Sequence, residues 1–150
     1  MVKYISWIVV LLWMAIIFYL SHEPASESNG LSSGITDTIV TYMENLMPNL
    51  EINVDIFHHM IRKSAHFLAY LVLGVLIFYA FKRSRVAGYH GISIGLGLCV
   101  LYAISDEVHQ LFIPGRSGEV RDVLIDSAGA SVGVAVMLVL EKLKERRRLR

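Results

Sequence analysis

The stretch GISIGLGLCVLYAISDEVHQLFIPGR, residues 91–116, begins as an apolar run and ends in two carboxylates, an imidazole, an amide and a guanidinium. Its apolar part, Gly91 to Ile104, is too short to cross a hydrocarbon core, which takes about 20 helical residues. Counting about 20 residues forward from Gly91 reaches Gln110, so the polar groups complete a span rather than follow it.

The rest of the 150-residue chain agrees with a membrane reading. It is 55% hydrophobic and 18% charged, with a mean hydropathy of +0.54, too oily for a soluble domain of this size. Four apolar segments recur, Tyr4–Leu20, His66–Phe81, Gly91–Ile104 and Val123–Leu140. The first and last are long enough to span directly, and the middle two become so by extending into their polar flanks. The expectation is an all-α integral membrane four-helix bundle, a single domain over residues 1–150 with spans at about 4–20, 62–81, 91–110 and 121–140. The first apolar run exceeds a usual signal-peptide h-region and no A-x-A site follows it, so residues 4–20 are read as a retained span. Cys99, the single cysteine, makes no internal disulfide and matches no multi-cysteine metal pattern.

Charge asymmetry sets the expected orientation. Lys142–Arg150 carries six Lys and Arg, whereas Ser21–Ile61 carries none and holds six acids. Lys3, the Lys82/Arg83/Arg85 turn and the tail fall on one side of a four-span chain, which places both termini in the cytoplasm. The basic tail reads as this topology signal and an anchor for anionic lipid, not as a nucleic-acid site. In the first outer loop Ile35, Ile39, Tyr42, Met43, Leu46 and Met47 recur at helical spacing, with Ser33 as N-cap and Pro48 just beyond, which predicts an amphipathic helix at the outer surface.

Measured outward from their cytoplasmic ends, the last three spans bring polar residues to one depth. Arg62, Lys63, His66, Asp106, Glu107, His109, Gln110, Asp122 and Asp126 ring the outer mouth. Helical periodicity groups them into stripes: His59, Lys63, His66, Tyr70 and Gly74; Gly91, Gly95, Tyr102, Asp106 and His109; and Asp122, Asp126, Gly129 and Gly133. Small residues deeper in each stripe allow close helix approach, so the polar ends should converge. Pro114 closes the third helix, and Gly115 and Gly118 permit a return that aims Arg116 over the cluster, where its fork suits a phosphate or carboxylate.

RKSAHFLAYLVLG at 62–74 and SDEVHQLFIPGRSGEVRDVLIDSAGASVG at 105–133 resemble the VanZ-like membrane proteins, as does the Ser-rich SHEPASES after the first span. The matching positions are Lys63, His66, Phe67, Tyr70, Asp106, Glu107, His109, Gln110, Gly115, Arg116, Asp122 and Gly129. Asp126 departs from the pattern, since the family more often has Asn there. The resemblance implies a cell-envelope role in the cell membrane, with a founding member linked to resistance to the glycopeptide teicoplanin in Gram-positive bacteria.

Two uses of the cluster stand beside each other. In one it binds or acts on an anionic group of a membrane lipid, either a lipid-linked wall precursor or a phospholipid headgroup. His66, Asp106 and His109 then serve as acid and base, and Lys63, Tyr70, Glu107, Gln110, Arg116, Asp122 and Asp126 line the ligand. In the other, the charges pair helix ends in a structural protein, or relay protons in a small transporter. Asp106 and His109, three apart, resemble the acid-x-x-His pattern of helical metal sites, with Asp122, Asp126 and His66 as further ligands. No second helix repeats it, so no metal or other cofactor is assigned. Whether the protein is an enzyme, and its oligomeric state, are left open by the sequence.

Overall fold

The computed structural model describes residues 2–24, 34, 38–42, 45, 54–86 and 88–149. Its framework is four long helices, α1 (Val2–His22), α2 (Val54–Arg83), α3 (Tyr89–Gln110) and α4 (Val120–Arg148). At about 1.5 Å per residue each is at least about 30 Å long, the thickness of a hydrocarbon core. All four are long and apolar enough to cross a membrane. The second and third do so by the expected route, α3 ending at Gln110 and α2 starting well before Arg62.

The helices run alternately up and down. At one end Trp7 Nε1 donates to Ser84 Oγ at 3.0 Å and packs edge-on to Phe81, while Lys82 pairs with Glu141. At the other, Ser21 Oγ donates to Asp106 Oδ2 at 2.9 Å and Arg116 reaches the carbonyl of Leu20. The bundle therefore has a basic end, with Lys82, Arg83, Arg85 and the tail, and a polar end built from the other termini of the helices. Between them the outer face is apolar: only 22–33% of each candidate span window is buried within the protein. Exposed side chains such as Leu11, Leu12, Leu101 and Leu124 form a surface suited to lipid tails and too apolar for water.

α2 is the centre, packing on α1, α3 and α4. Its contact with α4 is a backbone approach between parallel helices. A Cβ on Gly129 would strike the carbonyl of Phe67, one on Gly133 the carbonyl of Leu71, and one on Gly74 the carbonyl of Ala130. Such contacts replace hydrophobic attraction, which lipid does not supply between helices, with close van der Waals packing. The core beside them is Tyr70, Leu73, Ile77 and Ala80 of α2, Cys99 and Ala103 of α3, Ala130 of α4, and Val10 and Ile17 of α1. α1 is further pinned by two polar handles: Trp13 Nε1 donates to Ala69 O at 2.9 Å, and Tyr102 of α3 donates to Met14 O at 2.6 Å.

The loop from α3 to α4 turns as the Pro-Gly pair predicts. Arg116 N donates to Ile113 O at 3.1 Å, and Gly115 takes φ 76°, a conformation that favours glycine. Within the first loop, residues 34, 38–42 and 45 are helical. Of the expected apolar stripe, Ile39 and Tyr42 are exposed while the neighbouring Val40 is buried. Ser33, Ile35, Met43, Leu46, Met47 and Pro48 lie outside the described residues.

Two substitutions test this packing by thermal unfolding of purified protein in detergent. Gly129→Ala should cost about 1–3 kcal/mol, because α2 and α4 must separate to admit the methyl group. Gly97→Ala, a site with nothing within 4 Å, should be neutral or slightly stabilising. Equal midpoints for the two would dismiss the close approach as the organising contact. Trp13→Phe should lower stability by about 0.5–1.5 kcal/mol through loss of its hydrogen bond, and an unchanged midpoint would show that α1 is held by apolar packing alone.

Candidate functional site

The polar end is assembled from all four helices. Lys63, His66 and Tyr70 lie one helical turn apart on α2 and face Asp122 and Asp126 of α4. The glycine contact deeper in the bundle puts these two helices in that register. α3 contributes Asp106, Glu107 and Gln110, and α1 contributes Ser21. Asp106, Glu107, Gln110, Asp122 and Asp126 are all buried, with Gln110 fully enclosed. Charges of this kind at a bundle interior must be paired or must serve a ligand.

Pairing accounts for one half of the cluster. Lys63 Nζ donates to Asp122 Oδ1 and, at 3.1 Å, to Glu119 Oε2. Glu107 Oε1 accepts the backbone N–H of Glu119 at 2.5 Å, tying α3 to the start of α4 and satisfying a donor that no side-chain cap covers. These contacts join α2, α3 and α4 at their ends.

The other half is less completely paired. His66 Nδ1 stands 3.6 Å from Asp126 Oδ1, and donor atoms of His66, Asp106 and Asp126 all lie within 4.8 Å of one another. Asp106 Oδ2 accepts from Ser21 and, at 3.5 Å, from Gln110 Nε2. Its Oδ1, the Gln110 Oε1 and the hydroxyl of the fully buried Tyr70 have no hydrogen-bond partner among the described residues.

Arg116 comes back over this end of the bundle, as the turn predicts. Its Nη2 makes one long contact, 3.4 Å, to Leu20 O, while Nε and Nη1 are buried without partners among the described residues. Burial pushes the guanidinium below its usual pKa, with Arg62 adding to the effect and Asp106, Glu23 and Glu107 opposing it. A guanidinium stays charged under any such shift, so Arg116 presents a fork of donors for an anion. On the flank of the bundle, a groove of about 580 Å³ between α2 and α4 is lined by His59, Lys63 and Arg121 above Phe67, Leu68 and Ile125; Arg116 does not line it.

The structure thus gathers Lys63, His66, Tyr70, Asp106, Glu107, Gln110, Arg116, Asp122 and Asp126 at one end. His109 lies apart from His66 and Asp126, against α1, where its Nε2 is 3.1 Å from His22 Nδ1 and its ring 4.4 Å from that of Phe18. Ser21 and His22 take part without having been singled out by charge or spacing. The SHEPASES resemblance is the signal that points to both.

The VanZ/LLP1 family model matches residues 6–141, which takes in every residue of the cluster. No curated protein and no solved structure matches the chain. With four membrane-type helices carrying one polar cluster and a family match across nearly the whole length, the chain belongs to the VanZ/LLP1 family.

Proposed function

We propose that this VanZ/LLP1 protein works in the bacterial cell membrane, binding or acting on the phosphate-bearing headgroup of a lipid at its polar end. By the distribution of Lys and Arg, that end faces outward and both termini face the cytoplasm. The observation that carries the reading is Arg116, a half-buried guanidinium with two donors that have no partner among the described residues, within electrostatic range of Asp106 and Glu107. A cation that makes no ion pair among the described residues, in a cluster rich in carboxylates, is a group suited to an anion from outside.

The groove between α2 and α4 supports a lipid as the source of that anion. Its basic upper wall and apolar lower wall match a headgroup above an acyl or polyprenyl chain. Lys63 forms part of the wall while held by Asp122 and Glu119, so it steers an anion without surrendering its own pair. His66 between Asp106 and Asp126 is the proton-exchanging group nearest the pocket. Tyr70, Gln110 and Asp106 offer unpartnered polar atoms to the ligand, Glu107 and Asp122 keep the helix ends in place, and His109 with His22 forms the rim beside α1. Teicoplanin protection follows if the lipid bound is a wall precursor.

A second reading, in which the cluster only ties helix ends together, is favoured by the Lys63 ion pairs and the Glu107 contact to α4. Arg116 separates the two. Protein in nanodiscs should bind phosphatidylglycerol or a lipid-linked wall precursor, and Arg116→Gln should weaken the preferred lipid about ten-fold or more, the worth of a charge-assisted hydrogen-bond pair. The same substitution, matched for abundance, should abolish any teicoplanin protection conferred on a sensitive Gram-positive host. Equal lipid affinity in wild type and variant would leave the structural reading in possession.

A further inference from the structure

We propose that His66, Asp106 and Asp126 form a divalent-cation site, suited to Mn²⁺ or Zn²⁺, within the polar end of the bundle. The inference rests on reading that end as a ligand site and adds an inorganic component to it. One imidazole nitrogen and two carboxylate oxygens, contributed by three different helices, lie within 4.8 Å of one another. Ligand atoms held about 2.0–2.2 Å from an ion stand roughly 3–4 Å apart, and His66 Nδ1 and Asp126 Oδ1 are already at 3.6 Å. Small side-chain rotations close the remainder.

Charge and unsatisfied polar groups point the same way. Asp106 and Asp126 are 3% and 1% exposed, and neither is engaged by Lys63 or Arg116 through a hydrogen bond. Two carboxylates enclosed this closely call for positive charge between them, which a dication supplies. Tyr70 is fully buried, its hydroxyl is unpartnered, and it lies within electrostatic range of both carboxylates. Gln110, also fully buried, touches Asp106 through Nε2 and leaves Oε1 unpartnered. A water in one of the ion's remaining positions would accept from the Tyr70 hydroxyl and donate to the Gln110 oxygen. A mixed set of imidazole and carboxylate ligands favours Mn²⁺ or Zn²⁺ over cations that take oxygen alone. Of the ligands that the sequence pattern suggests, this set keeps Asp106, Asp126 and His66 and drops His109, which is turned toward His22, and Asp122, which is paired with Lys63.

The test is a titration of chelator-stripped wild-type protein in detergent with Mn²⁺, read by loss of the free-ion electron paramagnetic resonance signal, followed by competition with Zn²⁺. One Mn²⁺ per chain is expected, displaced by Zn²⁺, with affinity reduced at least ten-fold in Asp126→Asn and in His66→Gln. Glu141→Gln, at the basic end, should bind as wild type does. If wild type takes up neither ion, or if both pocket variants bind as tightly as wild type, the cation site is overturned. Phosphatidylglycerol binding measured in chelator distinguishes the two readings: lipid bound without Mn²⁺ uptake removes only the cation, and Mn²⁺ uptake without lipid removes only the headgroup.

Discussion

The approach of α2 to α4 at Gly74, Gly129 and Gly133 is the constraint on which the rest of the molecule depends. Each glycine admits a carbonyl or main-chain atom of the opposite helix where a side chain would hold the two apart. Because the helices run parallel from the polar end, the register set at Phe67 and Gly129 is carried outward one turn at a time. It seats His66 against Asp126 and Lys63 against Asp122. A slip of one residue would turn each partner by about 100° and strand buried acids against lipid. The apolar and charged halves of these two helices therefore stabilise the same alignment.

α1 and α3 enclose that axis from the sides. α1 has no charged residue between Lys3 and Glu23, and it is held by polar atoms of aromatic side chains and by Ser21. In a lipid setting such bonds are individually modest, near 0.6 kcal/mol on average, but they are directional. Their effect is to place Ser21 on Asp106 and the carbonyl of Leu20 against Arg116, so that the first helix joins the polar end.

Much of this was legible in the sequence because membrane thickness is a ruler. Counting a span's length from each basic end brought Lys63, His66, Asp106, Gln110, Asp122 and Asp126 to one depth, and the bundle keeps them there. The angular assignment was weaker. Three residues along a helix is a 300° turn and four is 400°, so His109 and Gln110 sit on opposite sides of Asp106, about 60° and 40° away. Spacing alone treats both as neighbours of Asp106; contact with α1 draws His109 to His22, while Gln110 turns inward and is fully buried. Ser21 was legible only through the SHEPASES resemblance. By composition and spacing, a serine at the end of an apolar run has no distinguishing pattern until the helix it ends is set against Asp106.

The polar end divides into a half whose charges pair with one another and a half that is less completely paired. Lys63, Asp122, Glu119 and Glu107 satisfy one another and join three helix ends. If anchoring were the whole purpose, the neighbouring groups would be expected to follow the same rule, since an unmet buried polar atom costs about 1–3 kcal/mol. Instead Tyr70, Gln110, Asp106 and Arg116 each keep a buried atom with no partner among the described residues. The paired half fixes the helix ends, and the less completely paired half leaves donors of Arg116 and acceptors of Asp106 and Gln110 at the same end of the bundle. Cationic donors beside buried acids favour an anion and a cation together over either alone, because each screens the other from the charges that would oppose it.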